Sequence, residues 1–390
     1  MDVLAEQERW RAVRRYLNGH RYELARAASC LYPDIDRVAG TALLTRRSWI
    51  PGRPVDLRQV RLAWAPDARA PGVNGTEPES SRVRPPQQDG TRFVTYAGAI
   101  EGLDPPRLFA NRISYRLTGA SLADGGSQLT FCQGAYFDGV NVGEAAAHEF
   151  AAVSREQGTD ETLSFSALPF RARVGDPTGL ARRAVLPAVS MLTLRRDRAT
   201  GQASFVLHWR DPASVAHGGG LYQVMPVGVF QPSSDTPQAV AADFDLWRCV
   251  VREYSEEFLG TPENYATGDV AFDYDAWPLY ARLGRARQEG ALQAWCLGLG
   301  VDPLTLATDI LAVTVIDDDA FDEVFGHMVT ANTEGAVVSG DSSIGFPFAG
   351  ATISRLTAAE PMQPAGAAVL ALAWRHRTVL GLREAGAVRR

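Results

Sequence analysis

The chain has 390 residues, 46% hydrophobic and 22% charged, with a formal net charge of −6. That is a globular composition with ample material for a core, and its scattered basic residues argue against a large nucleic-acid footprint. All 39 basic residues are arginine, so a Schiff-base lysine, a pyridoxal-phosphate anchor and a P-loop lysine are excluded.

The first residues, "MDVLAEQERWRAVRRYLNGHRYEL", are charged throughout and lack the apolar run of a signal peptide. Residues 6–31 read as one or two helices: Trp10, Val13 and Leu17 share a face, Leu24 and Ala28 follow, and Asn18-Gly19 offers a break. "GTALLTRRSWIP" and "VDLRQVRLAW" read as strands. Residues 65–91, rich in Pro, Gly and polar side chains, read as a long surface loop. "LFANRISYRLTGASL" and "SQLTFCQGAYFDGV" read as strands, and "VGEAAAHEFAAVSRE" as a helix. Residues 1–170 are thus expected to form an α+β region, with no motif that gives it a role.

Residues 171–390 are the expected second domain. "AVLPAVSMLTLRRDRATGQASFVLHWRD" reads as two strands joined by a polar turn, Asp197 to Gly201. "GGGLYQVMPVGVFQP" reads as a Gly-rich entry, a short strand and a turn, and "SSDTPQAVAAD" as a disordered lead into a helix. A loop and a helix follow in 261–292, then the strands "AWCLGLGV" and "TDILAVTVID". "DDDAFDEVFGHM" reads as an acidic turn and "GAAVLALAWRHRTVLGL" as an apolar helix. No uncharged apolar stretch reaches 18 residues, so no membrane span is expected. Cys30, Cys132, Cys249 and Cys296 are far apart and form no C-x-x-C pair, which points to a reduced, cytoplasmic setting.

The chemistry concentrates in "WRCVVREYSEEFLG", Trp247 to Gly260. At 3.6 residues per turn, Trp247, Val251, Tyr254 and Phe258 form one stripe, while Glu253, Glu256 and Glu257 share another face at i, i+3 and i+4. Carboxylates so placed repel one another, and the end of a helix disfavours them further. A hard divalent cation offsets both effects by taking carboxylate oxygens. The structural alternative is an ordinary solvated acidic face.

The string Arg252-Glu253-Tyr254-Ser255-Glu256-Glu257 resembles the R-E-U-x-E-E heart of the Nudix box, G-x5-E-x7-R-E-U-x-E-E-x-G-U. The order of strands and turn around it is similar to that family's, over residues 184–380. The resemblance implies an α/β fold, a Nudix-like α/β/α sandwich with a mixed sheet. It implies Mg²⁺ or Mn²⁺ held by Glu253, Glu256 and Glu257, with Glu257 also catalytic. Arg252 would orient a glutamate through a salt bridge, Gly228 would form the turn before the helix, and Gln231 would add a polar ligand. The implied general base is a carboxylate on a later loop, with Glu334 and Asp317 to Asp319 as candidates.

The frame of the box departs from the family. Its upstream glutamate falls on Phe244, flanked by Asp243 and Asp245. Its first glycine falls on Gln238 and its closing glycine on Leu259, with Gly260 one residue late. Gly228 fits the turn by context but lies further upstream than the box allows, so a segment is inserted between turn and helix.

Other polar residues read as structural. His148-Glu149 begins like a zinc motif, but Ala152 stands where the second histidine belongs. His208 and His217 are lone histidines near a hairpin, and Gly218-Gly219-Gly220 lacks the P-loop continuation. Cys249 reads as core.

The expected activity is metal-dependent hydrolysis of a nucleoside diphosphate derivative. Its rivals are an inactive Nudix-like ligand sensor or interaction module, and a Nudix-fold enzyme of other chemistry. The expected partner is a small nucleotide-type substrate, with no nucleic acid and no membrane. A homodimer is left open.

Overall fold

The computed structural model describes residues 2–106, 109–123, 126–157, 163–210, 220–262, 271–331, 335–338 and 345–384. Its helices are α1 Val3–Gly19, α2 Arg21–Ser29, α3 Tyr96–Leu103, α4 Tyr136–Gln157, α5 Pro169–Val174, α6 Pro237–Ala242, α7 Leu246–Glu253, α8 Pro278–Gln288, α9 Asp318–Phe325, α10 Gly350–Ala359 and α11 Pro364–Arg375. Its strands are β1 Val55–Asp56, β2 Arg61–Trp64, β3 Ile113–Ser121, β4 Gln128–Ala135, β5 Ala188–Arg196, β6 Ala203–Phe205, β7 Leu207–Arg210, β8 Tyr222–Gln223, β9 Val227–Val229, β10 Leu292–Val301, β11 Thr308–Asp317, β12 Gly335–Val338 and β13 Phe346–Pro347.

A mixed sheet runs in the order β1-β10-β11-β5-β6-β13, with β9 also pairing β5. β5 lies parallel to β11 along its whole length. Its other edge is shared: β9 takes Ala188 to Ser190 and β6 takes Arg195 and Arg196, both antiparallel. All ten residues of β11 are buried, as a central strand covered on both faces requires. Alternation then sorts the side chains. Val189 and Met191 of β5, with Ile310, Ala312 and Ile316 of β11, face one core shared with α7, α8 and α9. Leu192, Leu194, Leu311, Val313 and Val315 face the other, under α10 and α11. The result is an α/β fold with a mixed sheet between helical layers.

Residues 1–170 build a smaller sheet, β2-β4-β3, with α1, α2 and α3 packed on α4. This region also joins the large sheet. β1 pairs β10, and Leu44 bridges Val301.

Four expected elements differ. "GTALLTRRSWIP" holds a short 3-10 turn at Arg47–Trp49 and isolated bridges from Leu44 to Arg37 and Val301 rather than a strand, because Leu43 and Leu44 are buried side by side and do not alternate. The 65–91 segment is packed: Val73 and Val83 are buried, and Trp10 Nε1 donates to the Val83 carbonyl at 2.9 Å. "SSDTPQAVAAD" contains α6, opened by a Thr236 cap on Ala239 N–H and by Pro237. The acidic "DDDAFDEVFGHM" contains α9, whose first turn takes Asp318 and Asp319 where the helix dipole favours them. Among the described residues, no helix is long and apolar enough to cross a membrane.

Candidate functional site

α7 starts at an Asp245 cap, whose side chain accepts from Arg248 N–H at 2.9 Å. Its apolar stripe of Trp247, Val250, Val251 and Tyr254 enters the core against the sheet. At Tyr254 the helix opens into a π turn running to Phe258, which carries Glu256 and Glu257. Such turns place side chains out of the regular 3.6-residue register and recur at functional sites.

Burying the apolar stripe aims the other face of α7 at β9. Glu253 lies directly on Gly228: a Cβ there would stand 1.8 Å from Glu253 Oε1. An added Cβ would push the carboxylate off the strand. One turn on, Glu257 Oε1 accepts the Val227 N–H at 3.2 Å, and Glu257 is 4% exposed. Glu253 and Glu257 therefore converge on two consecutive residues of one strand. Glu256 is partly buried on the same π turn.

Glu253 and Glu257 present carboxylate oxygens to neighbouring residues of one strand, the donor type that Mg²⁺ takes. Among the described residues, no group of three or more His, Cys, Asp or Glu stands ready to hold a metal.

Arg252 is buried and locked. It donates to Tyr274 Oη and, at 2.6 Å, to the Gln231 carbonyl, and lies 3.4 Å from Asp243 Oδ1. Tyr274 in turn donates to Asp243 Oδ1 at 2.7 Å, and Asp243 Oδ2 accepts the Ser233 N–H at 2.6 Å. Burial opposes the Arg252 charge, but Cys249, Tyr274 and Asp243 outweigh it and hold its pKa above the ordinary arginine value. This network ties the inserted 231–245 segment to the helix. The box frame pointed to Phe244 for the upstream carboxylate; the carboxylate that meets Arg252 is its neighbour Asp243. Tyr274 and Ser233 carried no sequence signal. Phe244 instead joins an aromatic group with Trp64, Tyr115, Phe131 and Phe230.

Other candidates fall as follows. Gln231 enters the network through its backbone carbonyl. Asp317 is 5% exposed and ion-paired with Arg196 at 2.6 Å, which commits it to holding the end of β11 beside β5. Asp318 and Asp319 open α9. Glu334, His217, Gly218 and Gly219 lie outside the described residues. His208 is buried on β7. Cys249 is fully buried, and burial raises its thiol pKa well above the usual range. His148 and Glu149 are buried in α4, away from any zinc pattern. Comparison with protein-family models and with curated proteins gives no match.

Proposed function

We propose that the chain is a metal-dependent hydrolase of nucleoside diphosphate derivatives, of the Nudix type. The observation that carries this reading is the convergence of Glu253 and Glu257 on Gly228 and Val227. The helices on a mixed sheet and the order β9, α6, α7, with α7 packed on β9, support it further.

Glu253, Glu256 and Glu257 would hold Mg²⁺ or Mn²⁺. When bound, the ion supplies charge neutralisation for the diphosphate oxygens and acidifies an attacking water. The protein's own residues do the rest. Gly228 lets a carboxylate sit against the strand. The Val227 N–H fixes Glu257, which in this reading also serves catalysis. Arg252 acts by positioning, holding the segment before the helix through Asp243 and Tyr274. A carboxylate takes the proton from water, and Glu334 remains the candidate for it.

The test is a panel of nucleoside diphosphate derivatives with Mg²⁺ or Mn²⁺, comparing wild type with Glu256→Gln and Glu257→Gln. Turnover that falls by ~100-fold or more in either variant supports the hydrolase, the size expected when transition-state charge loses its stabiliser. Binding of a nucleotide without turnover, unchanged in both variants, replaces it with the sensor reading.

A further inference from the structure

A cavity of about 340 Å³ opens where α1, the 78–92 segment, α4 and α5 meet. Its lower wall is apolar, from Val13, Val83, Pro85 and Val153 among others. Trp10 and His148 also line it, their rings stacked at 5.6 Å and 23°. Both are nearly fully buried.

The floor is held rigidly from beneath. His148 Nδ1 pairs with Tyr96 Oη at 2.9 Å, and Tyr96 Oη accepts from Arg14 at 3.3 Å. Burial and the nearby Arg14 charge push the His148 pKa down to about 3, so the floor stays uncharged at neutral pH.

The rim is charged. Arg9, Arg82 and Arg92 line it and are exposed. Arg92 pairs with Glu6 at 3.6 Å. Among the described residues, Arg9 and Arg82 have no carboxylate at ion-pair distance, which leaves two guanidinium forks for a ligand. Glu149 does not compete for them by hydrogen bond: both its oxygens accept backbone N–H groups at the start of α5, from Phe170 and Arg171, at 2.8 Å each. Glu6 and Glu156 at the mouth disfavour a second negative charge on the ligand.

We propose that this cavity binds a small organic monoanion, a single apolar ring or short chain ending in a carboxylate. The volume sits at the low end for ligand pockets, which run from about 300 to 1,000 Å³. It suits one ring and is too small for a dinucleotide-sized molecule. Guanidinium forks match a carboxylate bidentately, and an apolar floor with a stacked ring pair takes the body. The site is built wholly from residues 6–169 and is independent of the glutamates of α7.

The full chain is titrated with benzoate, phenyl phosphate and benzylamine by calorimetry, in wild type, Arg9→Ala/Arg82→Ala and Ala152→Trp. Ala152 lines the cavity, so the indole fills it from the α4 wall. Benzoate is expected to bind saturably at one site. Its affinity falls at least tenfold in the double variant and is lost in Ala152→Trp, while circular dichroism stays that of wild type. A tryptophan variant that fails to fold is replaced by Ala152→Leu, with a smaller loss of the same sign. Failure of benzoate to bind, or equal binding to folded wild type and cavity-filled variants, overturns the site. Tighter binding of phenyl phosphate or benzylamine than of benzoate overturns the ligand class. Phosphohydrolase assays of the same variants are expected to match wild type, so each proposal can fail without the other.

Discussion

A methyl group added at Gly228 would lie 1.8 Å from Oε1 and 1.9 Å from Cδ of Glu253, far inside van der Waals contact. Glu253 is flexible and partly exposed, so Gly228→Ala is expected to fold, at a cost of about 1–3 kcal/mol for the crowding. Its carboxylate moves off the strand, and Mn²⁺ affinity drops at least tenfold by calorimetry; unchanged affinity removes Glu253 from the ligand set. His148 gives a second prediction at this scale. Its folded pKa of about 3 lies below the ordinary 6.5, so the unfolded chain binds the extra proton. The stability it contributes is complete above pH 6.5 and is lost as pH falls toward 3. In that window the loss runs at about 1.4 kcal/mol per pH unit. Urea denaturation of wild type should therefore fall more steeply with acid than that of His148→Gln, by about that slope; parallel curves would refute the burial account. The spacing predicts Glu253, Glu256 and Glu257 on one α-helical face; the π turn from Tyr254 to Phe258 breaks that register, and the contacts with β9 are made by Glu253 and Glu257. The Arg252 partner was not, because α6 and the chain after it decide which aspartate reaches the guanidinium.

The helix with its π turn is braced by a neighbour that reads in sequence as a loop. Phe325 of α9 is 2% exposed and lies 5.0 Å from the Tyr254 ring and 4.9 Å from the Phe258 ring, centroid to centroid. These are the residues at the two ends of the π turn. Phe325→Ala should cost about 3–5 kcal/mol, as aromatic truncations in cores do. It should also speed amide exchange across 254–258 more than across β11. Equal protection of that turn in both proteins would show that α9 does not brace it. The long elements were legible: α1 by its apolar stripe, β5 and β11 as continuous apolar runs. α6 and α9 were not: α6 is a short turn and a half, and the acidic run of α9 looks like a solvated turn until Val324 and Phe325 are seen buried. The π turn has no sequence signature. Tyr254 at its start shares a hydrogen bond with Thr193 Oγ1 at 2.8 Å across the core.

Across the whole molecule, the boundary near residue 170 is crossed by paired backbone. β1 extends the large sheet at β10. Just before β3, Arg112 donates to the carbonyls of Pro232 and Ser233 at 3.1 and 3.0 Å; from β3, Ile113 N–H donates to Asp235 at 3.0 Å and Tyr115 Oη donates to the Val240 carbonyl at 2.9 Å. Residues 1–170 thus hold the segment that leads into the glutamate helix. None of this was legible in sequence, since strand pairing over such separations leaves no local pattern. One core runs from Trp10 to Phe325, and the expected consequence is that the two regions unfold in one transition. Trp10→Phe and Trp247→Phe each remove one of eight tryptophans, so the fluorescence of both variants still reports on both regions. Both should give urea midpoints coincident with far-UV circular dichroism. Arg112→Ala loses its two carbonyl contacts and should destabilise by about 1–3 kcal/mol, moving the fluorescence and dichroism midpoints together. Two separated transitions, with Arg112→Ala shifting only one, would instead make the regions independent, and the first would then have no hold on the glutamate helix.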